Sequence, residues 1–325
     1  MKAIVYDTYG PPEVLQLQEV PTPVPADDEV LIKIHAASVN RSDWESLIGQ
    51  PLYARVGGLR KPRRQILGSD IAGRVEAVGK NHRIFQPGDA VFGDILEHMG
   101  GFAEYVCVRG RVMAQKPAGL TFEQAAVIPQ AGVIALQGIR DKGQVQPGHS
   151  VLINGAGGGG TFAVQLAKHL GAEVTAVDSP GKLEFLRSLG ADHVIDYTRQ
   201  DFTRTGERYD LILDLVAHHS VFSLPRALKP DGRYYFVGGS VARLFQILFI
   251  GPWLGRKAGK KIRLLAVQPN AKDLLSIAEM CEAGKIVPAI DRRFSLSEVP
   301  QALQYLGEGR TRGKIVITMG SESQT

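Results

Sequence analysis

Residues Val151 to Thr161 read VLINGAGGGGT, an apolar run that enters a glycine cluster and continues into the amphipathic stretch TFAVQLAKHLG. A strand that turns into a helix through G-x-G-x-x-G predicts the first βαβ unit of a doubly wound parallel sheet. Gly155, Gly157 and Gly160 permit a tight turn and a close approach of the backbone to a pyrophosphate. Gly158, Gly159 and Thr161 fall in the first helical turn, where free amides attract an anion. A glycine-rich turn without a ligand is the competing reading, and the strand before it and the helix after it weigh against that.

Asp178 lies 23 residues beyond Gly155, at the end of the next apolar run, AEVTAVD. A carboxylate there can accept hydrogen bonds from the adenosine ribose hydroxyls, which leans towards NAD(H). Ser179 and Lys182 follow at once, and a lysine with a hydroxyl could instead hold a 2′-phosphate. The cofactor is therefore NAD(P)(H), with both phosphate states open, and Lys182 could equally be the exposed start of a helix. Asp214 ends the run YDLILD, and Gly238, Gly239 and Ser240 follow RYYFV, at strand ends where such sheets form their ligand crevice. Those glycines would let a nicotinamide lie against the backbone, or serve as a plain turn.

Around this segment the chain changes character. Before residue 120 the runs KAIVY, VLQLQEV, EVLIKIHAASV, DIAGRVEAVG, DAVFG and FAEYVCV are short and separated by turn residues, which predicts a β-rich unit. Beyond Thr121, helical and buried-strand patterns alternate, which predicts a parallel sheet. EVPQALQYLGEG reads as a helix, GKIVITM as a strand returning to the first domain, and SESQT as a frayed tail. The expected division is 1–120, completed by 289–325, and 121–288.

The chain has 325 residues, enough for about two domains, and its composition is globular. Its 38 basic and 33 acidic residues are interleaved, so a net charge of +5 asks for no nucleic acid; RKPRR, Arg60 to Arg64, is the one short basic run. Two cysteines, Cys107 and Cys281, exclude a disulfide framework and suit a reducing compartment. The N-terminus MKAIVYDTYG carries no cleavable signal pattern and no apolar run approaches the ~18 residues of a membrane span, so cytoplasmic residence is the expectation.

Several ordered motifs then act together: SVNRSDW (Ser38 to Trp44), LGSDIAGRVEAVG (Leu67 to Gly79), FQPGDAVFG (Phe85 to Gly93), GGFAEYV (Gly100 to Val106), the glycine loop and LRSLGADHVIDY (Leu186 to Tyr197). In these the chain resembles the medium-chain dehydrogenase/reductase superfamily, specifically its zinc-free, quinone oxidoreductase-like branch. The resemblance implies an α/β fold: a GroES-like β-rich catalytic domain plus a Rossmann domain with a doubly wound parallel sheet. It also implies a cofactor held in the cleft between them and a homodimer.

Zinc-dependent members carry a cysteine, a histidine and a further cysteine or acid as catalytic ligands. Here Asn40 stands in the first place, Ser69 in the second and Gln130 near the last, and amide and hydroxyl oxygens are poor zinc ligands. Asp94 to Ala103 holds no cysteine for a structural zinc lobe. No metal is expected, and polarisation of the substrate oxygen falls to hydrogen bonds. By resemblance Asn40 contacts the reacting oxygen or the nicotinamide ribose, with Asp43 and Asp70 beside it. Asp43 could instead hold its loop, and Asp70 could be a buried structural carboxylate. Ile134 replaces the threonine of many relatives. Tyr53, Gln130 and Ile134 are candidates to line the substrate pocket. His218 and His219 are candidate proton shuttles or an exposed loop pair.

Residues 242–261, ARLFQILFIGPWLGRKAGKK, combine an apolar and aromatic stretch with four basic residues after it. They read as a pocket cover, a subunit contact or a membrane-surface foothold, with Gly251-Pro252 expected to interrupt any long helix. The combined expectation is a reductase moving hydride from NAD(P)H to an enone, a quinone or another carbonyl. Alcohol oxidation on the same scaffold, or a catalytically silent nucleotide-binding or membrane-associated protein, are the alternatives.

Overall fold

The computed structural model describes residues 1–55 and 58–320; the tail expected to fray, 321–325, lies outside the described residues. Two compact units result, one of Met1–Gln130, Pro269–Glu282 and Pro288–Thr325, the other of Ala131–Gln268 and Ala283–Val287.

In the first unit β1 (Lys2–Val5) and β2 (Gln16–Glu19) pair antiparallel. The remaining strands are β3 (Glu29–Val39), β4 (Asp70–Val78), β5 (Ala90–Asp94), β6 (Tyr105–Arg109), β7 (Met113–Gln115), β14 (Ile290–Ser295) and β15 (Lys314–Thr318). They form one sheet in the order β14-β15-β3-β4-β5-β7, with β6 also on β3. The eleven-residue β3 organises it. Its first half pairs with β6, Glu29 to Lys33 against Arg109 to Tyr105, and its second half with β15, Ala36 to Val39 against Thr318 to Ile315. Strand β15 is the GKIVITM segment, back in the first unit as its apolar pattern predicts. Ile315, Val316 and Ile317 are buried, each contributing about 1.5–3 kcal/mol relative to exposure.

This unit runs past residue 120, and the cause is local. Thr121 caps helix Phe122–Ala126 by accepting from the Gln124 amide at 3.1 Å, and the Phe122 ring stacks on His35 of β3 with centroids 4.3 Å apart.

The second unit holds β8 (Ser150–Asn154), β9 (Glu173–Asp178), β10 (His193–Asp196), β11 (Tyr209–Asp214), β12 (Leu228–Phe236) and β13 (Lys261–Leu264), all parallel, in the order β10-β9-β8-β11-β12-β13. Val151, Leu152 and Ile153 of β8 and Ile212 and Leu213 of β11 are fully buried, the continuous apolar pattern that a sheet covered on both faces requires. The chain leaves β8 towards β9 and β10, then returns to the other side at β11. The order therefore reverses between β8 and β11, where doubly wound sheets open a crevice at the strands' carboxyl ends.

Candidate functional site

At that reversal Gly155 takes φ +86°, a left-handed conformation natural to glycine, and a Cβ there would lie 2.7 Å from Val216. A Cβ on Gly160 would lie 2.6 Å from the Gly155 carbonyl oxygen, so the turn closes only with glycine there. Gly157 differs, since a Cβ on it would meet nothing within 4 Å. It precedes helix Gly158–His169, whose first turn contains Gly158 and Gly159. The Thr161 hydroxyl is committed to the Gly158 carbonyl at 2.7 Å, inside the helix. What the turn presents is therefore backbone amides and open space, the donor set for a pyrophosphate.

At the end of β9, Asp178 Oδ1 accepts from the Ser179 amide at 2.8 Å and from its hydroxyl at 3.3 Å, and lies 3.4 Å from Lys182 Nζ. The three candidate coenzyme selectors thus form one cluster, with every recorded contact on a single carboxylate oxygen. Gly238 and Gly239 follow β12 and press against the loop after β11. Cβ atoms there would lie 2.8 Å from the Leu215 carbonyl oxygen and 2.6 Å from that of Ala217, while the Ser240 hydroxyl accepts from the Arg243 amide at 3.4 Å and opens helix Val241–Phe245. Backbone packing alone already accounts for both glycines.

Asp214 ends β11 wholly buried. It accepts from Asn154 Nδ2 at 2.8 Å, Tyr234 Oη at 2.7 Å and the Val216 amide at 3.3 Å, tying together the ends of β8, β11 and β12. Burial pushes its carboxyl up to about 6, against the lowering effect of those donors. His219 is docked rather than free in a loop: its ring meets Phe202 edge-on at 4.5 Å, and Nε2 lies 3.0 Å from Asp201. Burial lowers its pKa, and Nδ1 is buried with no hydrogen-bond partner among the described residues.

The first unit gathers a second polar centre. Asn40 caps helix Arg41–Ile48, and its backbone N–H is held by Asp43 Oδ2 at 2.7 Å. The Asn40 side chain turns elsewhere, donating from Nδ2 to Ser69 Oγ at 3.0 Å and accepting on Oδ1 from Lys314 Nζ. Asp43 also accepts from the Gly68 amide at 3.1 Å, so it fastens the loop before β4 to the helix start. Asp70 begins β4 with no exposed surface. It accepts from the Ser38 hydroxyl at 3.3 Å and the Gln130 amide at 3.2 Å, and stands 3.7 Å from Lys314 Nζ. Gln130 Oε1 accepts from the Ser42 hydroxyl at 3.3 Å, and Asp94 is paired to Asp70 across the β4–β5 ladder.

Of the residues singled out from the sequence, Asn40, Asp43, Asp70 and Gln130 come together here. Tyr53 is half exposed, with its hydroxyl towards Glu45 Oε2 at 3.5 Å, and Ile134 lies half buried in the second unit. Lys314 was missed by sequence reasoning. The signal available was a lysine opening a strand whose next three residues are Ile315, Val316 and Ile317, and its register against β3 delivers the ammonium to this centre. Burial depresses the Lys314 pKa while Asp70, Asp43 and Asp94 raise it. Burial pushes Asp70 up as well, and pushes Asp43 and Asp94 up to about 7, with the Asp70 charge adding to both.

Three family patterns match the chain, the last two overlapping: an alcohol dehydrogenase GroES-like domain over residues 26–118, an alanine dehydrogenase/PNT C-terminal domain over 127–217 and a zinc-binding dehydrogenase over 189–317. The chain is 36% identical to a 2-methylene-furan-3-one reductase of Solanum lycopersicum, covering 98% of this chain and 79% of that one. It is 32% identical to a chloroplastic NADPH-dependent alkenal/one oxidoreductase of Arabidopsis thaliana, with the same coverage. The solved quinone oxidoreductase of Coxiella burnetii superposes with a TM-score of 0.89 at 33% identity, over 98% of this chain and 99% of the other.

The chain belongs to the medium-chain dehydrogenase/reductase superfamily, in its quinone oxidoreductase-like family.

For a medium-chain reductase two groups then need testing against the residues present. Zinc, named in one matching pattern, does not fit. Asn40 and Ser69 lie 3.0 Å apart, yet they offer an amide and a hydroxyl with the Lys314 ammonium against them. Among the described residues no three His, Cys, Asp or Glu side chains gather where they could hold a metal ion. NAD(P)(H) does fit, because a Cβ on Gly157 would meet nothing within 4 Å and the next residue opens a twelve-residue helix, whose first turn offers backbone amides to an anion.

Proposed function

We propose that the protein is a zinc-independent NAD(P)H-dependent reductase of α,β-unsaturated carbonyls and quinones. The observation that carries this reading is the glycine turn at the sheet reversal, closed at Gly155 and Gly160 and open at Gly157. Reduced nicotinamide, bound along that turn, supplies a hydride. Gly157 and the amides of Gly158 and Gly159 would hold its pyrophosphate, and Asp178 would accept from the adenosine ribose. Lys182 compensates the Asp178 charge at 3.4 Å, so a 2′-phosphate is tolerated beside the carboxylate and the protein uses NADPH as well as NADH.

In the first unit the Asn40 amide is held by Ser69 on its nitrogen and Lys314 on its oxygen, which fixes which end donates. It would donate to the substrate oxygen as negative charge builds there. An enone needs little more, because hydride addition at its β-carbon sends the electron pair through the conjugated system to that oxygen. A proton from water then completes the saturated ketone. The polar residues named are neutral or internally paired, which suits stabilisation of a growing charge without a Lewis acid.

The test mixes the protein with NADPH or NADH and follows the reduced-nicotinamide absorbance on addition of enones, quinones or simple ketones, with and without a chelator. Chelator-resistant consumption with enones or quinones is expected. Coenzyme binding without consumption across the whole set, or activity that disappears with the chelator, overturns the reading.

A further inference from the structure

The second unit carries an amphipathic segment that the hydride chemistry does not use. Helix Val241–Phe245 runs through a π-helical turn, Gln246–Ile250, into helix Gly251–Lys257. Gly251-Pro252 does not break this path, because Pro252 falls in the first turn of the last helix, where a missing N–H costs nothing. Leu244, Ile247, Ile250 and Leu254 face inward onto the unit's core. The opposite face is also apolar: Phe245 is 53% exposed, Leu248 43%, Phe249 75% and Trp253 60%. Phe245 and Phe249 stack at 6.0 Å, and the Lys257 ammonium lies 5.5 Å over the Trp253 ring. A solvent-facing helix surface normally carries polar residues, so this face asks for an occupant.

Charge narrows the choice. Residues 232–268 contain seven lysines and arginines and no aspartate or glutamate, and Arg256, Lys257, Lys261 and Arg263 are exposed. A second copy of the chain is the poorer match, since a two-fold contact would set these cations against themselves. We infer that the face Phe245, Leu248, Phe249, Trp253 with Arg256 and Lys257 docks on an anionic lipid bilayer surface. The aromatic side chains enter the headgroup boundary and the cations meet lipid phosphates. Such a foothold sets the protein where apolar small molecules concentrate. It does not rest on the proposed reaction, because binding is read without turnover.

Cosedimentation with vesicles of equimolar phosphatidylcholine and phosphatidylglycerol, against vesicles of phosphatidylcholine alone, tests this. The protein is expected to partition at least about tenfold better onto the anionic vesicles, less so as salt rises, with a blue shift of Trp253 emission. Two double variants, Phe249→Ser/Trp253→Ser and Arg256→Glu/Lys257→Glu, should each lower partition at least about tenfold while leaving thermal stability and NADPH affinity unchanged. Equal partition of the wild type and both variants, or no preference for anionic lipid, overturns the inference. So does a dimer in solution that Phe249→Ser/Trp253→Ser converts to a monomer, which would assign the face to a second copy.

Discussion

The glycine turn and the Asn40 centre are built in opposite ways. The turn occupies residues 154–161, and its requirements are those of the backbone: a left-handed φ at Gly155, no room for a Cβ at Gly160, open space at Gly157. The Asn40 centre draws Ser38, Asn40, Asp43, Ser69, Asp70, Gln130 and Lys314 from across almost the whole chain, and its requirements are those of side chains. A site made of backbone tolerates no side chain where space is needed, yet holds no buried charge. A site made of side chains stands or falls with its charge balance. The two should therefore fail separately.

The largest effect is expected at Lys314. Lys314→Met removes an ammonium that faces Asp70, Asp43 and Asp94 and should cost about 3–5 kcal/mol of unfolding free energy in urea, because buried carboxylates are left uncompensated. Adding Asp70→Asn should recover part of that loss; no recovery would mean that packing, not charge, holds Lys314. Gly157→Val comes next. A Cβ there meets nothing within 4 Å, so the melting temperature should change far less than NADPH affinity, which, read by fluorescence titration, falls at least about a hundredfold, roughly 3 kcal/mol. A variant that loses stability instead would break the contrast.

Asp214 tests the comparison from within the second unit, as a buried charge close to the backbone-built turn. Its folded pKa, about 6, is raised from 3.8, so its contribution to stability is full below pH ~4 and lost as pH rises through ~6. Asp214→Asn should remove roughly 2–3 kcal/mol of that pH dependence between those values, measured by urea unfolding across pH. An unchanged pH profile would show that Asp214 does not titrate there. The smallest effect belongs to Lys182→Ala, expected to raise the KM for NADPH about five- to tenfold while leaving that for NADH within about twofold. Equal changes for both would deny Lys182 any part in reading a 2′-phosphate.

This division also explains what could be read from the sequence. The parallel sheet, the returning strand at GKIVITM and the glycine turn were legible because periodicity and glycine spacing are local. Asn40, Asp43, Asp70 and Gln130 were reached by resemblance, since nothing local distinguishes an asparagine that joins a buried polar cluster from any helix cap. Lys314 was not reached, because its surroundings depend on pairing Ile315 with Val39 across most of the chain. The path through Gly251-Pro252 was misread as a break for a related reason: the π-helical turn before it cannot be seen in the apolar spacing.

The place of β15 between β14 and β3 has a consequence for synthesis. A ribosome delivers Asp43, Asp70 and Asp94 long before Lys314, with the whole of Ala131–Gln268 emerging in between. During that interval the second half of β3 waits without its β15 partner, and the acids that Lys314 will compensate have every reason to stay hydrated. The second unit has most of its residues in one continuous stretch and can condense first. The unit that begins the chain is thus the last to be finished, and its exposed β3 edge is the point at which a nascent chain would need shelter.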